Sequence, residues 1–70
     1  MENELIFIIW SNILKYQYLR SLSEERLASY LGVTTRTLSN YKHDPGTISL
    51  GQIQNFVCAL GISIYDLTKA

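Results

Sequence analysis

Four times in seventy residues the chain repeats one local arrangement: an apolar residue, then Ser or Thr, then another apolar residue four positions past the hydroxyl. The instances are Leu22-Ser23 with Leu27, Val33-Thr34 with Leu38, Ile48-Ser49 with Ile53, and Ile62-Ser63 with Leu67. Each predicts a helix start. The hydroxyl accepts an orphan backbone N–H, and the flanking apolar pair closes over the first turn as a staple. Gln52 three residues after Ser49, and Asp66 three after Ser63, can reach back to the cap and complete a capping box. A cap is worth about 1 kcal/mol, a noticeable fraction of the stability of so small a domain. With the N-terminal apolar segment the four starts predict five helices, over 4–19, 24–31, 35–42, 50–60 and 64–69. No strand alternation competes.

The stops agree with the starts. Gly32 follows the periodic run Leu27, Ala28, Leu31 and can take the left-handed conformation that ends a helix, as can Gly61 after Phe56, Val57 and Leu60. In HDPG, Pro45 disfavours helical geometry at Asp44 and cannot continue the hydrogen-bond ladder. Connections of two to six residues then imply neighbouring helices around one core. The expected fold is all-α, a compact five-helix bundle occupying residues 1–70 as one domain. At 47% apolar and 17% charged the chain is globular in composition. A chain this short buries only about 60% of its unfolded surface, so a second subunit or partner would help it.

The run LIFIIW, Leu5 to Trp10, is too short to cross a membrane. Ser11, Asn12 and Lys15 interrupt it, whereas a span needs about 20 apolar residues. A leader bearing Glu2 and Glu4 is also unlike a secretory signal. A single cysteine, Cys58, forms no internal disulfide, and the expected setting is soluble and cytoplasmic.

The stretch LASYLGVTTRTLSNYK, residues 27–42, predicts two short helices crossing steeply over a tight turn. Ala28 and Gly32 are small where two helices must approach closely, and Leu27, Leu31, Val33, Leu38 and Tyr41 supply the apolar frame. This frame, with ALGIS at 59–63 and Leu67 after it, resembles the Cro and repressor type of bacteriophage helix-turn-helix regulator over about residues 13–69. The resemblance implies a lambda-repressor-like domain whose second unit helix lies in the major groove of double-stranded DNA. Thr35, Arg36, Ser39 and Asn40 are then the base-contacting candidates. Arg36 can grip both acceptors of a guanine, and Asn40 can pair with adenine. Ser23, Thr34, Thr37, Lys42 and His43 are the phosphate-contacting candidates.

Charge departs from that pattern. Where the resemblance implies a phosphate-contacting Gln, the chain has Glu24, followed by Glu25, and where many members carry Arg in the first helix it has Gln17. Residues 23–44 set Arg26, Arg36 and Lys42 against Glu24, Glu25 and Asp44, and the whole chain has no net charge. Few counterions would be released, so the salt dependence of DNA binding should be shallow.

The first helix needs one apolar stripe for its own domain, through Ile9, Ile13 and Tyr16, which leaves Leu5, Ile6, Phe7 and Trp10 on other faces. Such a surplus serves an interface, or core beneath the last helix. As an interface it would join two copies, presenting two reading helices one DNA turn apart. Alternatively it would seize a partner repressor, the chain acting as an anti-repressor with Glu24 and Glu25 facing the partner's basic surface.

Catalysis is not expected. One His and one Cys make no usual zinc site, no glycine-rich phosphate loop occurs, and adjacent Glu24 and Glu25 diverge by about 100° on a helix. No cofactor and no small-molecule ligand are implied. Tyr41 reads as core, Tyr18, Tyr30 and Tyr65 as packing or rim, and Cys58 as a partly covered side chain without chemistry.

Overall fold

Of the computed structural model, residues 4–69 are described; residues 1–3, with Glu2, and Ala70 lie outside the described residues. Five α-helices follow one another: α1 (Glu4–Leu19), α2 (Glu24–Leu31), α3 (Thr35–His43), α4 (Leu50–Leu60) and α5 (Ile64–Thr68), with a 3-10 turn over Pro45–Thr47 before α4. Among the described residues every regular element is helical. Helix α3 runs one residue beyond the expected end, through His43, and α5 stops one short, at Thr68.

All four hydroxyl caps form. Ser23 accepts from Arg26 N–H, Thr34 from Thr37, Ser49 from Gln52 and Ser63 from Tyr65, and the capping boxes at Ser49 and Ser63 are closed from both sides. Gly32 and Gly61 end α2 and α4 in the left-handed region, with φ of 78° and 69°. At Gly32 a Cβ would stand 2.9 Å from Asn55 Nδ2, the far end of a side chain that can turn aside, so the left-handed conformation is what requires glycine. The end of α1 carries no glycine. Ser21 takes the left-handed conformation there, at φ 55°. That helix stop has no signal in the sequence.

Helix α1 lies along α5 and the 3-10 turn, α2 packs on both α3 and α4, and α4 meets α5. The core draws on every element: Ile13, Leu27, Leu31, Leu38, Phe56 and Leu67 are fully buried, and Ala28 is small where α2 passes its neighbours.

Two expectations about α1 are corrected. Trp10 is 6% exposed and sits in the core, not on an outer face. Ile6, Ile9, Trp10 and Ile13 recur at the three- and four-residue spacing of one helical stripe, and that stripe is the wider one the domain buries. Ile6 is half-buried against the core, Tyr16 also packs on its edge, and only Leu5 and Phe7 of the apolar run stay in solvent, at 55% and 52% exposure. Cys58 is exposed rather than partly covered.

Asn12, which interrupts the apolar run in sequence, is buried. Its Nδ2 donates to the carbonyl oxygens of Leu67 at 2.7 Å and Lys69 at 2.8 Å. The last carbonyls of a helix have no partner within it, and here a side chain of α1 supplies one and ties α5 down.

Candidate nucleic-acid interface

Helix α3 divides its residues by face. Leu38 and Tyr41 point into the core, Thr37 is half-buried, and Thr35, Arg36, Ser39 and Asn40 are exposed together on the outer side. Thr35 and Ser39, and Arg36 and Asn40, are i,i+4 pairs, so the four form two adjacent rows across about 140° of the helix surface. Every base-contacting candidate therefore lies on one strip of surface. Arg36 makes no ion pair among the described residues.

Helix α3 is fixed at three points. At the N-terminal end Thr34 Oγ1 accepts the Thr37 backbone N–H and donates its own proton to Thr37 Oγ1, each at 3.2 Å. In the last turn the Tyr41 ring meets Trp10 edge to face, with centroids 6.2 Å apart and planes at 79°. The Tyr41 hydroxyl donates to Gln52 Oε1 at 2.8 Å. That same oxygen accepts from the Ser49 N–H, so the cap of α4 and the anchor of α3 share one side chain. The Gln52 spacing signalled a capping box in the sequence, but its bond to Tyr41 had no local signal. The third anchor is ionic, Lys42 Nζ against a Glu24 carboxylate oxygen.

The phosphate-contacting candidates are less uniform. Ser23 is exposed, and its oxygen accepts the Arg26 N–H at 3.0 Å. The Thr34 hydroxyl proton is committed to Thr37. Lys42 is engaged by Glu24, and His43 is exposed at the end of α3.

Glu24 is thus drawn into a small polar cluster. One oxygen meets Lys42, and the other accepts from Gln17 Nε2 at 2.9 Å, while Gln17 also donates to the Leu22 carbonyl at 3.2 Å. The Lys42 ammonium, then the Gln17 amide, hold the Glu24 carboxyl below the usual carboxylate range. Two features that looked like separate departures in the sequence, a glutamate in α2 and a glutamine in α1, are bonded to one another. Of the other cations, Lys15 lies over the Tyr16 ring, 5.6 Å from its centroid, and Lys69 pairs with Asp66 at 3.7 Å. Among the described residues no helix is long and apolar enough to cross a membrane.

Residues 15–67 match the protein-family model described as Helix-turn-helix, a span that includes α2 and α3 whole and runs from within α1 to Leu67 in α5. No curated protein and no solved structure matches the chain. With that match over more than half of its length, and with an outward-facing α3 braced against α2 and the core, the chain belongs to the helix-turn-helix family of DNA-binding regulatory domains.

Proposed function

We propose that the protein is a small transcriptional regulator of a phage or other mobile element that reads operator DNA as a dimer, with α3 in the major groove. The observation that carries this reading is the strip Thr35, Arg36, Ser39 and Asn40, exposed on one side of a helix whose opposite side is pinned by Tyr41. A rigidly backed helix offers its polar groups at fixed spacing, which is what base edges require. Arg36 grips a guanine, Asn40 an adenine, and Thr35 and Ser39 meet neighbouring bases or phosphates. Ser23, Thr37 and His43 position the backbone. The Cro and repressor resemblance supports the phage setting, and the protein works in the cytoplasm, where its DNA is. Exposed Leu5 and Phe7 on α1 support contact with a second copy.

The anti-repressor reading has less to stand on. It draws on Leu5, Ile6, Phe7 and Trp10 as an interface and on Glu24 and Glu25 as free acids, whereas Trp10 is buried, Ile6 half-buried and Glu24 paired with Lys42.

Selection from a randomised duplex pool at low salt tests the proposal, with Arg36→Ala beside the wild type. The expected result is a two-fold motif whose preference at one guanine fades in the variant, a loss of about 1–3 kcal/mol of discrimination. Light scattering on the Leu5→Ser, Phe7→Ser double variant should then show a lower mass. Absence of any enriched sequence from folded protein would refute the DNA-reading role.

A further inference from the structure

We propose that Glu24 acts as an internal stand-in for a DNA phosphate, occupying Lys42 and Gln17 so that the duplex is bound without Lys42 on its backbone. The inference rests on the DNA-reading role above and concerns how tightly that role is exercised.

The geometry has three parts. Lys42 sits in the last turn of the reading helix α3, on the residue next to the anchor Tyr41. Glu24 is the first residue of α2, and Gln17 lies near the end of α1, so three helices bring these side chains to one point. The two carboxylate oxygens are divided between two donors, one taking the Lys42 ammonium and the other the Gln17 amide. A phosphate diester also presents two anionic oxygens to cationic and amide donors. The donors that would take it are therefore already filled, by an anion belonging to the chain.

The cluster is accessible. The Lys42 and Glu24 side chains are 41% and 52% exposed, so an ammonium released from Glu24 can reach a phosphate. The consequence is specific to salt. Counterions leave the DNA for each phosphate that a cation neutralises, so a lysine held by a carboxylate adds nothing to the salt slope, whereas a lysine freed from its partner adds about 0.9. Glu24 accordingly lowers affinity and flattens the salt dependence by removing one cation from the count.

The test measures fluorescence anisotropy of a labelled duplex of mixed sequence from about 50 to 200 mM salt, comparing wild type, Glu24→Gln, Lys42→Met and the double variant. Far-ultraviolet circular dichroism and Trp10 emission establish that each is folded, and Glu24→Ala replaces Glu24→Gln should the latter not fold. Freed Lys42 should steepen the slope of log K against log salt by about 0.9 and tighten binding at 0.1 M salt by on the order of tenfold. The gain should disappear when Lys42→Met is added. A slope equal to that of the wild type would overturn the inference, with DNA binding itself intact. So would a gain that survives in the double variant, since Glu24 would then act only by through-space repulsion. Failure of wild type and variants alike to bind at the lowest salt would instead remove the DNA-reading role, and this inference with it.

Discussion

Asn12 is the side chain on which the placement of the last helix most depends, and the cost of removing it follows from its partners. Asn12→Ala deletes two hydrogen bonds, a buried one to the Leu67 carbonyl and a part-buried one to the Lys69 carbonyl. The Leu67 oxygen is left without a donor in a dry setting, which costs about 1–3 kcal/mol, and the Lys69 oxygen, within reach of water, adds about 0.5–1.5 kcal/mol. A loss of roughly 2–4 kcal/mol is large beside the total of about 4–10 kcal/mol available to seventy residues. Thermal unfolding followed by Trp10 emission, the single tryptophan lying in the core beside α3, should show the midpoint lowered by about 8 °C or more. Asn12→Asp sharpens the argument because it keeps the shape. An ionised carboxylate only accepts, so it would face two carbonyl oxygens and at neutral pH destabilise more than Ala does. The introduced carboxyl would have its pKa raised in the folded state, so the folded chain binds the extra proton more readily. Its deficit relative to wild type at the same pH should shrink as pH falls through that raised value. An Asn12→Ala variant within about 0.5 kcal/mol of wild type would refute the reasoning, and α5 would then be held by Leu67 burial alone. An Asn12→Asp deficit independent of pH would refute the assigned donor role.

Backbone and charge give further expectations. Gly32→Ala places a side chain at φ of 78° and should destabilise by about 1 kcal/mol, whereas Ser21→Gly relieves a left-handed serine and should stabilise by up to about 1 kcal/mol; urea midpoints moving in the same direction would show that local conformation does not control these stops. Lys42, then Gln17, depress the Glu24 carboxyl, so its stabilising effect is present above the unfolded carboxylate value of about 4.3 and is lost as pH falls through the lower folded value. Wild type should therefore exceed Glu24→Gln in stability at neutral pH, by a small margin that salt narrows, and match it in acid. A margin that widens on acidification would reverse the sign and refute the pairing.

Much of the architecture is legible in short segments because its determinants act over three to five residues. A Ser or Thr hydroxyl satisfies an N–H within its own first turn, and Gly32 and Gly61 end helices through their own φ, so starts and stops are written locally. The outer strip of α3 is legible for the same reason. Once Leu38 and Tyr41 are assigned inward, Thr35, Arg36, Ser39 and Asn40 must share the other face.

What composition and spacing along α1 left open was which of several overlapping apolar stripes the domain would bury. Ile9 and Ile13 belong to more than one, and the packing of α5 and the 3-10 turn against α1, with Tyr41 against Trp10, selected the stripe that contains Trp10. The polar pairings were open for a related reason. Asn12 meets carbonyls 55 and 57 residues away, and Glu24 meets Lys42 18 residues on, so no helical period brings them together. Local sequence settled where the helices begin and end and which side of α3 is polar, because those depend on a single turn of backbone. Only the tertiary structure decided that a glutamate and a lysine flanking the reading surface would spend their charges on each other, because that depends on how three helices converge.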